Sequence, residues 1–315
     1  MLIGANLITN DTTLSILDVA PVVEAAGLES IFQGEHSHIP IDTRYPGNAD
    51  GDVPDFYKRF PDLFVTMAAA AALTTTLRLG AGVVLVAEHQ TLRLAKAVAS
   101  LDVLSGGRVL FGVGYGWNKP EWTNNGVDPA RPRTAFREKL AVLSRLWADD
   151  VVEYHGDTVS FTASWSYPKP AHTTARRPGP PILLGANSSD AAFNDVLELC
   201  DGWYPLAGPT LLDDVARLRA RGAERGVKPS VSVCEMAGQM TGASWYCDDT
   251  DARSRLFEPA RTYAAGGVDR LVIGVPVDSR SHLEAAVGVL AELQTDVGSS
   301  AASSGAAPAT GATHH

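Results

Sequence analysis

Short aliphatic or β-branched runs alternate with longer stretches of helical period along nearly the whole chain, and this alternation constrains the fold more than any other feature. The strands it predicts are Leu2–Leu7, Ser30–Glu35, Leu77–Val86, Arg108–Gly116, Pro181–Asn187, Gly202–Leu206, Ser230–Gly238 and Arg270–Pro276. Helices are predicted near 14–26, 61–75, 90–104, 131–147, 188–199, 210–225, 251–265 and 279–294. In the last of these, Leu283, Val287, Leu290 and Leu293 recur at spacings of three and four, a stripe that faces a sheet. Ser281 with Glu284 forms a capping-box pattern at its start. Most of the strands are nearly continuous apolar runs, as in parallel strands covered on both faces. Eight right-handed strand–helix units close naturally, so the expected architecture is α/β, a (β/α)8 TIM barrel. The rival is an open doubly wound sheet. Its glycine-rich phosphate turn is missing, because Asn6-Leu7-Ile8-Thr9 follows the first strand without a glycine.

Two connections exceed the few residues usual in barrels: His36 to Phe60 and Val151 to Pro180. The second reads as an inserted hairpin, and both are expected at the carboxyl-terminal face. The barrel domain should span residues 1–297. The tail 298–315 holds only small and polar residues plus one proline, and is expected to be disordered; His314-His315, at its end, read as an expression remnant and are set aside. With 45% apolar residues, disorder over the whole length is excluded. A net charge of −10 disfavours nucleic acid and anionic membrane as partners. The longest apolar run in the alanine-rich stretch, Met67 to Leu73, is far short of the roughly 20 residues of a membrane span. No basic region precedes an apolar segment at the N-terminus, and Cys200, Cys234 and Cys247 lack metal-ligand spacing. The expectation is a cytoplasmic protein without a metal site.

Chemistry in such a barrel belongs at the carboxyl ends of the strands. The second strand ends in Glu35-His36-Ser37-His38, where a histidine beside a carboxylate has the composition of a proton-transfer group. A histidine that merely bonds a loop carbonyl is the plainer alternative. The fourth strand ends Gly112-Val113-Gly114-Tyr115-Gly116-Trp117, whose glycines admit either a ligand or a neighbouring helix close to the backbone. The third carries Gly80-Ala81-Gly82-Val83, where a flat ring could lie against Ala81 and Gly82. The fifth ends Gly185-Ala186-Asn187-Ser188 at the start of a helix, where Asn187 or Ser188 is a natural N-cap and exposed amides also suit a phosphate. Asn6 and Trp117, at the ends of the first and fourth strands, are further candidates for a cofactor's surroundings.

Together these residues resemble a known family. Leu101-Asp102-Val103-Leu104-Ser105-Gly106-Gly107-Arg108, then Gly112-Val113-Gly114-Tyr115-Gly116-Trp117 and Glu121-Trp122, resemble the signature of the bacterial-luciferase-like superfamily. Arg78-Leu79-Gly80, Pro168-Lys169-Pro170, Pro180-Pro181-Ile182 and Asp201-Gly202-Trp203 are similar to it in the same order. The resemblance implies a (β/α)8 barrel that binds FMN or the deazaflavin coenzyme F420. It places Gly82-Val83 where deazaflavin members have a non-proline cis bond. It sets Gly112, Val113 and Gly114 beside the ring, and Gly185 to Ser188 at the phosphate. His36 matches the active-site histidine of deazaflavin-dependent sugar-phosphate dehydrogenases, but Trp117 stands where those enzymes carry a catalytic glutamate, which argues against a sugar phosphate. The implied function is F420-dependent hydride transfer to or from a small organic substrate. His36 is its proton carrier, with Glu35 and Tyr115 next in line. The alternatives are an FMN-dependent monooxygenase fed by a partner reductase, and a flavin-binding barrel without turnover. A homodimer is the family expectation.

Overall fold

A computed structural model of the chain describes residues 1–236 and 250–303. The barrel begins with β1 (Leu2–Leu7), β2 (Ser30–Gln33) and β3 (Arg78–Ala81), the last continued by β4 (Val84–Leu85). β5 (Val109–Gly114) follows, then a separate hairpin of β6 (Val151–His155) and β7 (Ser160–Trp165). β8 (Ile182–Gly185), β9 (Gly202–Trp203), β10 (Ser230–Glu235) and β11 (Arg270–Gly274) complete the set. All barrel pairings are parallel, and β3 against β5 joins the two halves into a closed ring. Since β3 and β4 are two pieces of one strand, the ring has the eight strands that the alternation predicts. The break between them is the cis peptide Gly82–Val83.

Helices α1 (Ile16–Ala25), α2 (Leu63–Leu73), α3 (Thr91–Leu104), α4 (Lys119–Asn124), α5 (Pro132–Ala148), α6 (Asp190–Leu199), α7 (Leu211–Glu224), α8 (Thr250–Ala265) and α9 (Arg280–Ser303) surround it. Two details of α9 differ from expectation. Its first turn is capped by Ser279, whose hydroxyl accepts from the His282 amide at 3.3 Å, while Ser281 lies inside the helix and Glu284 pairs with Arg280. The helix also continues past the expected domain end at Val297 to Ser303. Val297 is fully buried, and once a helix is anchored each added residue gains a backbone bond at little cost. Residues 304–315 of the tail lie outside the described residues.

Inside the barrel, Phe32, Leu110, Leu183, Tyr204, Cys234 and Val272 form one cluster, with Phe32 stacked on Tyr204 at 5.0 Å. Gly80 pairs with Phe32 across β2 and β3, and a Cβ there would stand 2.5 Å from the phenyl ring. At the amino-terminal ends of the strands, Arg270 grips Glu29 through two bonds of 2.7 and 2.6 Å and reaches Ser232 at 2.9 Å. Arg108 gathers the carbonyls of Ala71, Thr74 and Leu77 at 2.8–3.0 Å, closing the end of α2. Gly106 and Gly107 turn the chain toward it at φ of +68° and +83°. The Ser105-Gly106-Gly107-Arg108 motif is therefore a stitch between elements, remote from the cavity described next.

Candidate active site

A cavity of about 720 Å³ opens at the carboxyl ends of the strands. Of the residues singled out in the sequence, Asn6, Glu35, His36, Gly82, Val83, Gly114, Tyr115, Trp117, Gly185, Ala186, Asn187 and Ser188 line it. Ala81, Gly112 and Val113 are not among its lining residues. The reason is register. A Cβ on Gly112 would fall 1.8 Å from the Ala81 carbonyl oxygen, so this glycine lets β5 lie against β3 inside the wall. Gly114 and Gly185, paired across β5 and β8, make room for Val83 instead. A Cβ on either would come within 2.5–2.6 Å of a Val83 methyl. The glycine wall thus seats the bulge at Gly82–Val83, and the bulge faces the cavity.

His36 follows β2 and is almost fully buried. Its Nδ1 lies 2.7 Å from Oε2 of Glu121, a carboxylate with no solvent exposure. Glu121 also accepts from the Ser37 amide at 3.0 Å and from the Ser37 hydroxyl and the Asn118 amide nitrogen at 3.4 Å each. A carboxylate so supplied with donors fixes Nδ1 as the protonated nitrogen of the neutral ring and leaves Nε2 as the base. Among the described residues Nε2 has no hydrogen-bond partner, and His36 lines the cavity. Glu121 went unassigned in the sequence: it sits 85 residues from His36 on a six-residue helix, and only the Glu121-Trp122 pair of the family signature hinted at it.

Glu35 and Tyr115 point elsewhere. The Glu35 carboxylate accepts from the Leu85 amide at 2.8 Å and lies 2.9 Å from Nε2 of His89, which ties it to β4 beside the bulge. The Tyr115 hydroxyl donates to Asp195 on α6 at 2.5 Å, and burial with that carboxylate pushes its pKa upward. Asp195, fully buried, also holds Arg133 through two bonds of 2.7 Å and Arg137.

The far end of the cavity is the start of α6. Its cap is Ser189, one residue beyond the candidates Asn187 and Ser188. The Ser189 hydroxyl accepts from the Ala192 amide at 3.2 Å, while Asn187 closes a turn onto the Ser189 amide. Asn187, Ser188, Ser189 and Ala191 line the cavity there, together with Arg133, which is the one Lys or Arg among its described lining residues. Sequence reasoning missed Arg133 because its place depends on α5 packing beside α6. The insertion between β2 and α2 supplies Phe56, Tyr57 and Phe60 to the opposite end. Tyr57, Trp117 and Phe60 have ring centroids 5.3, 5.7 and 6.0 Å from that of His36. At the cavity floor the buried Tyr204 hydroxyl has only the Cys234 thiol beside it. Among the described residues no His, Cys, Asp and Glu group could hold a metal ion, and no helix is long and apolar enough to cross a membrane.

Comparison with known proteins agrees with this architecture. The model of the luciferase-like monooxygenase family matches residues 5–295. An uncharacterized protein of Mycobacterium tuberculosis is 36% identical over 218 residues, 68% of this chain and 76% of that protein. An F420-dependent secondary alcohol dehydrogenase in complex with an F420–acetone adduct has a TM-score of 0.70 at 15% identity, covering 94% of this chain and 98% of that one. The oxygenating constituent of 3,6-diketocamphane monooxygenase from Pseudomonas putida, in complex with FMN, has a TM-score of 0.69 at 12% identity over 94% and 98%. These two likenesses are of fold. The family match covers almost the whole barrel, and the chain belongs to the luciferase-like monooxygenase family of oxidoreductases.

Proposed function

We propose that this protein is a coenzyme F420-dependent oxidoreductase that moves a hydride between the deazaflavin and the carbinol or carbonyl carbon of a small organic substrate. The observation that carries the reading is the buried His36–Glu121 pair, in which His36 lines the cavity and its Nε2 has no partner among the described residues, since hydride transfer at such a carbon always leaves a proton to be placed. The residues present fit a flavin-type cofactor. Gly82–Val83 offers a side-chain-poor wall, Tyr204 a buried hydroxyl awaiting a partner, and the start of α6 with Arg133 an end that receives a phosphate. When bound, the deazaflavin supplies a ring carbon that accepts or returns the hydride.

The chain's own residues do the rest. Nε2 of His36 takes the proton from an alcohol, or returns it to the oxygen of a reduced carbonyl. Glu121 keeps the Nδ1 proton in place and stabilises the imidazolium that forms. Tyr57, Phe60 and Trp117 keep water from the reacting end, which strengthens the His36–Glu121 attraction. Glu35 holds the bulge from behind.

Equilibrium binding of the purified protein to F420 and to FMN, followed by fluorescence quenching, tests the cofactor. Tight binding of F420 alone supports the reading. Binding of FMN alone makes the chain the oxygenase component of a monooxygenase supplied with reduced flavin by a partner reductase; the diketocamphane enzyme is likewise named as an oxygenating constituent in complex with FMN. A cytoplasmic homodimer belongs to the same reading, and light scattering measures the oligomeric state directly.

A further inference from the structure

Resting on the hydride-transfer reading, we propose that the substrate is an uncharged alicyclic or aromatic secondary alcohol, or the matching ketone, and that Tyr57, Phe60 and Trp117 select it. The rings around His36 form a continuous set. Phe56 stacks on Tyr57 at 4.5 Å, Tyr57 meets Trp117 at 5.9 Å, and Tyr45 backs both at 5.0 and 5.6 Å. The Tyr57 hydroxyl gives its one proton to the Tyr45 hydroxyl at 3.3 Å, so Tyr57 offers the substrate its ring and no donor. A polyol would lose water from its hydroxyls against these faces without replacement bonds.

Charge excludes the other large class. The one cation among the described lining residues, Arg133, lies at the α6 end and is bound to Asp195. Besides His36, His89 and the tyrosines, the ionisable groups at the ring end are the carboxyls of Glu121 and Glu35, with Asp62 in a neighbouring cavity of about 310 Å³ that shares Glu35, His36, Phe60 and Leu85 with the first. Lys58 and Arg59, on the same short helix as Tyr57, line neither cavity and pair with Asp55 and Asp11. His89, also in that second cavity, is already bound to Glu35. Residues 237–249, which follow the lining residue Met236, contain no lysine or arginine in sequence. A phosphate or carboxylate on the substrate would therefore be desolvated among like charges with no counter-ion.

Three six-membered-ring probes separate the possibilities: cyclohexanol, cyclohexanecarboxylate and myo-inositol. Their affinity is measured by saturation-transfer NMR and tryptophan emission, first on the full chain without cofactor and then with F420 or FMN added. Cyclohexanol should bind at least about tenfold more tightly than either other probe. Trp117→Ala and Tyr57→Ala should erase that margin, and Phe60→Arg should turn the preference toward the carboxylate. Equal or tighter binding of cyclohexanecarboxylate or myo-inositol overturns the proposal, as does failure of all three to compete for the cavity. The cofactor-free measurement stands whichever cofactor binds, so a wrong cofactor assignment and a wrong substrate class give different results.

Discussion

At the amino-terminal ends of the strands, Glu29 and Arg270 form a two-pronged bond, and Arg177 pairs with Asp201 at 2.7 Å. Arg108 meanwhile spends its guanidinium on the carbonyls that end α2. At the carboxyl-terminal ends, Glu121, Glu35 and Asp195 are matched as fully, but three deeply placed groups at the cavities are matched on one side at most. His36 is bound at Nδ1 and open at Nε2. Glu88 takes Asn125 on one oxygen and nothing on the other, and Tyr204 has only a thiol nearby. Matched buried charge resists change, whereas half-matched charge is ready to act on a ligand. One end of the barrel holds the fold and the other is prepared for chemistry, the division this architecture favours.

The sharpest test exchanges the two roles. His36→Ala should lower turnover by roughly 10²–10⁴-fold and leave cofactor affinity near native, because the glycine wall and the start of α6 remain. Glu121→Gln should reduce turnover similarly by disturbing the tautomer. Steady-state kinetics with a cyclic alcohol measures both, and retained turnover in His36→Ala would move the proton to another carrier. The opposite end should give the reverse result. Glu29→Ala strands the buried Arg270 and should cost about 3–5 kcal/mol in urea unfolding, with kcat of the folded protein unchanged. A kcat that fell with it would mean the two ends are coupled.

Adjacent glycines on β5 probe the boundary between the ends. Gly112→Ala presses on the Ala81 carbonyl and should destabilise by about 1–3 kcal/mol. Gly114→Ala presses on a Val83 methyl that can move, so the fold should survive while the displaced bulge weakens cofactor binding by about tenfold or more. Thermal unfolding and cofactor titration of the pair decide it, and identical behaviour would erase the distinction.

The effect that turns on pH alone concerns Glu88. Burial, then the neighbouring Glu121 and Glu35, push its carboxyl up to about 8. The folded state therefore binds a proton that the unfolded chain releases near pH 4.5, and stability falls as pH rises from there to about 8. Glu88→Gln has no such proton. Its advantage over the parent protein should be absent below pH 4.5, grow between pH 4.5 and 8, and level off above that at no more than about 5 kcal/mol, the difference of about 3.5 pH units at about 1.4 kcal/mol each. A gap that stayed flat across this range would show that Glu88 is already ionised in the fold.

The barrel was legible because each strand–helix unit carries its own burial pattern, and closure at eight needs only that count. Most of the residues singled out do line the cavity, since strand ends define part of its wall. Gly112 misled because strand periodicity shows which residues are small but not which neighbour the missing side chain accommodates. Asn187 and Ser188 lost the cap of α6 to Ser189 because three polar residues in a row offer equivalent local bonds, and packing of the helix picks one.

By itself, then, the sequence determined the number of strand–helix units, the closed parallel barrel they build, and the presence of His36 at a strand end, all consequences of short-range pattern. Tertiary structure alone decided that His36 meets Glu121 across 85 residues, that Glu35 turns to His89, and that Arg133 reaches the start of α6. The physical reason is loop geometry. The two long insertions and the break at Gly82–Val83 set which side chains converge, and a contact made by folding long connections over a ring leaves no periodic trace in the residues that make it.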